Sequence, residues 1–298
     1  MTPLSRRILE TFQVRKTKKQ KDAFIALLQQ HFPNMQIQSG GFPRCRNLII
    51  GDVDRAEILL SAHYDTCARL PVPNFIAPKN MFLTIGYSLL ITLPFLILGV
   101  LLPRLTEQVA LQWLFTLAGW LSLLVLFCGP ANPHTANDNT SGVIALCELL
   151  TVLTDREKEK VAFVFFDHEE TGLVGSSLFR SRYRKQLQGK LLINMDCIGD
   201  GDTVMLAVSK AARSAYGKRI DRCFNPTTDK SVLITPLEKT FYPSDQMGFP
   251  KAVAVAALKR KRFLGYYLDR IHTPKDTNLD YKNIKLLCDG IRMFIQAS

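Results

Sequence analysis

Residues 161–176 read VAFVFFDHEETGLVGS, six apolar residues in a row followed at once by three acids and a histidine. A short apolar run of this kind is typical of a strand buried on both faces of a parallel sheet. Five other runs have the same form, at residues 48–50, 58–62, 191–195, 204–208 and 252–258. Helical patterns occupy residues 142–153 and 176–188 between them. This alternation of strands and helices predicts an α/β fold.

Residues 5–32 carry apolar side chains at helical spacing among many lysines and arginines. The spacing predicts one amphipathic helix over this stretch. Two environments are open to its basic face. It is either solvated at the protein surface or docked to anionic lipid.

A strongly apolar segment interrupts the α/β pattern between residues 80 and 130. Residues 81–102 and 109–128 are uncharged runs of 22 and 20 residues. At about 1.5 Å per residue, each can cross the roughly 30 Å hydrocarbon core of a bilayer. Two buried helices of a soluble core are the alternative, but such helices normally carry a polar stripe. We therefore predict a transmembrane helical hairpin at 80–130, inserted into a single domain formed by 1–79 and 131–298.

The charge of the chain lies outside this insert. Lys and Arg number 38 against 26 Asp and Glu, a net charge of +12, and hydrophobic residues make up 47%. That apolar content excludes a disordered chain. Arg104 and Glu107 are the only charged residues in 80–130, so the basic flanks predict that the domain and both termini are cytoplasmic. No aromatic-interleaved basic patch or reader motif is present, so the predicted partner is a lipid bilayer and not a nucleic acid.

Acids and histidines follow the predicted strands at the points where those strands end. They are His63 and Asp65, then Glu169 and Glu170, then Asp196, with Asp138 ahead of a helix and His272 opening a polar segment. The carboxyl ends of parallel strands share one edge of a sheet, so these groups should meet there. Carboxylates gathered in a protein repel one another unless a cation joins them. Imidazole with carboxylate suits zinc or a similar divalent ion, and a bridging carboxylate would allow a hydrolytic two-metal site.

The segments that carry these residues resemble the M28 family of zinc metallopeptidases. They are AHYDT at 62–66, NDNTSG at 137–142, FFDHEETGLVGS at 165–176, NMD at 194–196 and HTP at 272–274. They occur in the family's order, and the likeness covers the chain outside 80–130. It implies a three-layer α/β/α fold with a central, mostly parallel mixed sheet, two zinc ions and a peptide substrate.

The resemblance also implies a role for each residue. Asp138 would bridge two zinc ions, with His63 and Asp196 completing one site and Glu170 and His272 the other. Glu169 would be the general base, and Asp65 would fix the ring of His63. The resemblance implies an aminopeptidase activity, and the predicted hairpin makes the expected protein a membrane-anchored aminopeptidase. Carboxypeptidase cleavage, glutaminyl cyclisation and a non-catalytic receptor are the alternatives; the resemblance gives cyclases a tryptophan-lined pocket, whereas both tryptophans here lie in 109–128.

The sequence departs from the family pattern in two places. Residues 244–246 read Ser-Asp-Gln where the family commonly has Ser-Asp-His, so Gln246 and nearby Tyr242 are the candidates for substrate binding. The second departure is the insert, which falls between the segments of His63 and Asp138. Its ends must lie near the metal-binding edge, which predicts an active site close to the membrane surface.

Overall fold

A computed structural model describes residues 1–70, 72 and 74–297, apart from the side chains of residues 123 and 125–127. The strands in this part of the chain are β1 (Gln36–Gly40), β2 (Cys45–Ile50), β3 (Ile58–His63), β4 (Val161–Phe166), β5 (Leu191–Met195), β6 (Thr203–Val208), β7 (Ser231–Pro236), β8 (Ala252–Lys261) and β9 (Gly265–Tyr267). Its α-helices are α1 (Pro3–Thr11), α2 (Lys18–His31), α3 (Met81–Leu96), α4 (Val109–Cys128), α5 (Gly142–Val152), α6 (Asp155–Lys158), α7 (Val174–Arg182), α8 (Lys210–Cys223) and α9 (Tyr281–Gln296).

The strands form one mixed sheet in the order β1-β2-β4-β3-β5-β8-β6-β7, with β9 paired to β8. The central strands β4, β3, β5 and β8 run parallel, and Leu60 of β3 lies opposite Phe163 on one side and Ile193 on the other. All six apolar runs predicted as strands lie within strands of this sheet. The predicted α/β fold with a central, mostly parallel sheet is confirmed.

Helices cover both faces of the sheet because the side chains of its strands alternate between two apolar cores. Leu60 and its neighbours two residues away pack with α1, α2, α5, α8 and α9. Leu59 packs on the opposite face with Phe179 of α7. Both faces of the central strands are therefore buried, which is why those strands appear in the sequence as unbroken apolar runs.

The N-terminal region differs from the prediction of one continuous helix over residues 5–32. Two helices, α1 and α2, occupy it, and the chain is non-helical between them. Thr17 caps the N-terminus of α2 in a capping box. The Thr17 hydroxyl accepts a hydrogen bond from the backbone nitrogen of Gln20, and the Gln20 side chain accepts one from the backbone nitrogen of Thr17. The capping box provides hydrogen-bond partners for backbone N–H groups that have none at the start of a helix. It therefore favours the start of a new helix at this point.

A buried ion pair joins α2 to the end of β4. The Lys21 ammonium bonds the Asp167 carboxylate, and the two side chains are 7% and 1% exposed. Lys21→Met should cost about 3–5 kcal/mol of unfolding free energy because it leaves Asp167 buried without its cation. Denaturant unfolding in detergent would measure the loss.

Lys18→Met on the same helix is the matched control. The Lys18–Asp22 pair is 2.8 Å long, with the lysine side chain 85% exposed, so its removal should cost about 0–1 kcal/mol. Equal losses in the two variants would contradict the buried-pair interpretation.

The predicted insert is helical. α3 continues through Ile97–Leu101 and Leu102–Leu105, so Met81–Leu105 forms one stretch of 25 residues, and an 18-residue window within it has a mean hydropathy of 2.3. Among the described residues this is the one helix long and apolar enough to cross a bilayer, and Val109–Ser122 of α4 is a shorter apolar helix. The structure thus provides one candidate span. The two-span hairpin, the division of the chain at 80–130 and the cytoplasmic orientation stay predictions.

The two helices of the insert approach closely at a pair of glycines. A Cβ atom on Gly119 would lie 2.3 Å from the Cα atom of Gly99, so the contact requires small residues, as is common where membrane helices pack. Gly119→Ala should therefore destabilise the protein by about 1–3 kcal/mol. Gly86→Ala is the control because nothing lies within 4 Å of a Cβ there, and it should be stabilising by about 0.5–1 kcal/mol. Unfolding in detergent would measure both, and a Gly119→Ala protein as stable as wild type would contradict the close packing.

Candidate metal centre

The five predicted metal ligands converge at the carboxyl edge of the sheet. Asp138 lies between the two histidines, with its Oδ1 atom 3.3 Å from His63 Nε2 and its Oδ2 atom 3.1 Å from His272 Nε2. Asp196 Oδ1 is 3.5 Å from His63 Nε2, and Glu170 Oε2 is 3.3 Å from His272 Nε2. Each histidine therefore faces Asp138 and one further carboxylate.

These side chains form two groups that share Asp138. Ligand atoms of His63, Asp138 and Asp196 lie within 4.8 Å of one another, and so do those of Cys67, Asp138, Glu170 and His272. Each group could hold one divalent ion, with the Asp138 carboxylate between the two. The buried thiol of Cys67 was not predicted. It adds a sulfur donor to the second group.

The burial of the carboxylates supports a cation at each position. Glu170 Oε1 and Asp196 Oδ1 are buried with no hydrogen-bond partner among the described residues. Burial and the nearby Asp138 carboxylate raise the pKa of Glu170 well above its ordinary value. Burial would by itself lower the pKa of His63, but the charge of Glu169 and the adjacent acids Asp138 and Asp196 outweigh it, so that pKa is raised. The site thus gathers acidic groups whose mutual repulsion a cation would relieve, and the donor set suits divalent ions.

Asp65 contacts both His63 and the loop that carries the two glutamates. The Nδ1 atom of His63 donates to the backbone oxygen of Asp65 at 3.1 Å and lies 3.7 Å from its carboxylate. This contact leaves His63 Nε2 free to face Asp138. The Asp65 carboxylate accepts from the backbone nitrogens of Glu169 at 3.0 Å and Glu170 at 3.3 Å. The Asp65 carboxylate therefore orients the loop that carries Glu169 and Glu170. The orientation of the His63 ring is fixed mainly by the backbone oxygen of Asp65.

Glu169 lies beside the ligands. One of its carboxylate oxygens is within 4.8 Å of ligand atoms of His63 and Glu170. Burial raises the pKa of Glu169 well above its ordinary value, with a further contribution from the charge of Glu170. A carboxylate with a raised pKa accepts protons more readily than an exposed one, which suits a general base.

Two further residues that were not predicted hold the Asp138 segment in place. Asp276 accepts from the backbone nitrogens of Asn137 at 2.8 Å and Asp138 at 3.0 Å, and burial raises its pKa to about 7. Arg15 is fully buried, and its guanidinium donates to Thr140 Oγ1 at 3.1 Å. Burial lowers the pKa of Arg15 to about 10. The break between α1 and α2 thus places a cation beneath the site.

The two candidates for substrate binding are both buried. The Tyr242 hydroxyl donates to the backbone oxygen of Asp196 at 3.0 Å. Gln246 donates to the backbone oxygen of Tyr242 at 2.6 Å and accepts from Asn194 at 3.1 Å. Both side chains therefore support the end of β5, and their assignment to substrate binding stays a prediction. Between them in the chain, Asp245 has no hydrogen-bond partner for either carboxylate oxygen among the described residues.

An α/β sheet with paired acid–histidine groups at its carboxyl edge is an arrangement suited to metal-dependent hydrolysis. Residues 118–295, more than half of the chain, match the M28 peptidase family. The chain belongs to this family. No curated protein matches the chain.

Solved structures of two peptidases and a glutaminyl cyclase share the fold. The LapA aminopeptidase of Legionella pneumophila superposes with a TM-score of 0.57 at 13% identity, over 98% of this chain and 69% of that one. A Zn-dependent exopeptidase from Parabacteroides distasonis gives 0.57 at 13% identity, over 98% and 94%. The glutaminyl cyclase of Porphyromonas gingivalis gives 0.56 at 16% identity, over 99% and 96%. At these identities the likeness is one of fold.

Proposed function

We propose that this chain is a membrane-anchored, zinc-dependent exopeptidase, and specifically an aminopeptidase that hydrolyses N-terminal peptide bonds. The observation that carries the proposal is the position of Asp138, whose two carboxylate oxygens face different histidines at 3.3 and 3.1 Å. One carboxylate shared in this way suits two adjacent ions, which is the arrangement used by many hydrolases.

Each residue of the site has a proposed role in the hydrolysis. His63, Asp138 and Asp196 would hold one ion, and Asp138, Glu170 and His272 the other. When bound, such ions lower the pKa of a water molecule and polarise the scissile carbonyl. Glu169 would take a proton from the attacking water and return it to the leaving amine. Asp65 keeps Glu169 in position through its backbone nitrogen.

The tryptophans favour a peptidase over a cyclase. Trp113 and Trp120 are the only tryptophans of the chain. Both lie on α4 and are 68% and 61% exposed, so neither packs into the buried acid–histidine cluster. A tryptophan-lined cyclase pocket therefore has no tryptophan to form it at this site, whereas the side chains that peptide hydrolysis would use, the candidate metal ligands and Glu169, lie together.

The membrane anchor is proposed from the insert. Apolar side chains such as Phe82 and Leu90 on α3 are 82% and 68% exposed, and large exposed apolar surfaces mark membrane or partner contacts. The charge of the flanks orients the proposed hairpin with its 103–108 loop outside and the domain in the cytoplasm. An accessibility tag placed in 103–108 should be labelled from the external side, and labelling from the cytoplasm alone would contradict this orientation.

The activity is tested on the full chain purified in detergent. Bound metal would be measured, and free aminoacyl peptides, N-blocked peptides and peptides with N-terminal glutamine would be compared with and without chelator. We expect bound zinc and chelator-sensitive release of N-terminal residues. Cleavage of N-blocked peptides at the C-terminus, or ammonia release from N-terminal glutamine, would replace the aminopeptidase by one of the alternatives. Absence of both metal and turnover would contradict an enzyme.

A further inference from the structure

The second group of candidate metal ligands, which contains Glu170 and His272, borders a cavity that the insert helps to form. The cavity has a volume of about 220 Å³. Glu170, His272 and Cys67 lie on its wall, and so do Ser88 and Ile91 of α3. A helix of the insert therefore faces the candidate metal centre across a small space.

The first turns of α3 are attached to the domain, so this wall has a defined place. The backbone nitrogen of Ala77 donates to Thr84 Oγ1 at 2.8 Å, and that buried hydroxyl donates to the Ala77 oxygen at 3.2 Å. One turn further, the Tyr87 ring lies 5.3 Å from the ring of Phe75. Phe75 in turn stacks on Tyr267 of β9 at 5.8 Å. These contacts position the next turn of α3 over the cavity.

The part of the cavity away from the cluster is uncharged. Its described lining residues there are Ala68, Leu70, Asn74, Ser88, Ile91 and Thr92. The hydroxyls of Ser88 and Thr92 donate to backbone oxygens of their own helix, at 2.9 and 3.0 Å. A charged group placed in this part would find no opposite charge among these residues, whereas an apolar side chain would contact Leu70 and Ile91.

We infer that this cavity is the specificity pocket of the enzyme, and that it receives an uncharged, mainly apolar side chain from the substrate residue whose peptide bond is cleaved. The inference rests on the proposed peptidase function, since it takes the cluster at Glu170 and His272 as the reaction centre. A volume of about 220 Å³ is below the roughly 300–1,000 Å³ of pockets that enclose whole drug-sized ligands, so it suits one residue. The insert then serves two purposes, as the proposed anchor and as one wall of the pocket.

The position of the pocket along α3 indicates where the substrate lies. Ser88 and Thr92 are 7 and 11 residues beyond Met81, about 10 and 16 Å along the helix. Both positions fall inside the predicted span 81–102, so the pocket adjoins the part of the helix that is proposed to enter the bilayer. The favoured substrates are therefore peptides with apolar ends that partition to the membrane.

Filling the pocket tests its role in specificity. Thr92→Phe should lower the ratio of kcat/KM for leucyl over glycyl substrates by about 10-fold or more, since the larger side chain loses its space. Leu93→Phe is the control because Leu93 is 49% exposed and does not line the cavity, and its ratio should equal that of wild type. A wild-type ratio in Thr92→Phe would overturn the pocket while leaving the peptidase intact. A wild-type protein without turnover of any aminoacyl substrate would instead contradict the proposed function.

A second measurement does not depend on turnover. With the exposed Cys128 replaced by serine, Ser88→Cys would be alkylated in the presence and absence of leucinamide, and the label would be quantified on the peptide that contains position 88, because the Cys67 thiol lines the same cavity. We expect leucinamide to slow alkylation several-fold and lysinamide to have less effect, while Leu89→Cys, whose native side chain is 56% exposed, reacts equally in all cases. No protection at position 88 by leucinamide would overturn the inference, whether or not turnover is found.

Discussion

Glu169→Gln is expected to lower kcat by about 10²–10⁴-fold while leaving bound metal unchanged. Glutamine keeps the size of the side chain but cannot accept the proton, and burial already holds the Glu169 pKa well above its ordinary value. The measurement is kcat on the best substrate from the aminoacyl screen, together with the metal content of the same preparation.

Two neighbours on the same loop separate this role from a general disturbance of the site. Glu170→Gln removes a carboxylate oxygen 3.3 Å from His272, so it should lose metal as well as activity. Thr171→Ala alters an exposed residue and should leave both quantities at the wild-type level. A Glu169→Gln protein that hydrolyses the substrate as fast as wild type would show that another group is the base.

Asp138→Ala is expected to lose metal from both positions, because both ligand groups contain this carboxylate. The loss of metal affinity should be larger than the roughly 10–100-fold loss that is typical when a residue hydrogen-bonded to a metal ligand is replaced. Metal content after dialysis against a weak chelator would measure the loss. Activity should fall to the level of the chelated wild-type protein.

The control for Asp138 is the residue that holds it. Asp276→Asn keeps most of the shape beneath Asp138 but changes the acceptors for the backbone nitrogens of Asn137 and Asp138, so its effect on affinity should stay near 10–100-fold. Unfolding of both variants in chelator should match chelated wild type, which separates metal loss from misfolding. Full metal retention in Asp138→Ala would contradict the shared carboxylate.

The strands at the centre of the sheet were predictable because each is buried on both faces. The runs at 58–62 and 191–195 are apolar at every side chain except Ser61 and Asn194, and these two side chains bond each other at 2.7 Å. The edge strand β1 was not predicted. Its sequence QIQSG has no apolar run, and its residues are exposed or half-buried, so its place depends on pairing with β2.

The same contrast holds for the candidate site. His63, Asp138 and Asp196 could be proposed from the motifs in which they lie, because strand ends share an edge. Arg15 could not, since its partners Tyr64 and Thr140 are 49 and 125 residues away in the chain. A buried arginine has no local pattern that distinguishes it from the exposed basic residues around it.

The sequence by itself determined the class of fold, the candidate acids and histidines of the site and the apolar character of the insert, because burial and strand ends leave local patterns. The tertiary structure decided which oxygen faces which nitrogen, that Cys67 and Asp276 join the site, and that α3 forms a wall of the cavity beside Glu170. These depend on contacts between segments far apart in the chain, whose geometry is set by packing of the whole domain. For that reason the candidate ligands could be predicted from motifs, whereas the specificity pocket is inferred from the folded structure alone.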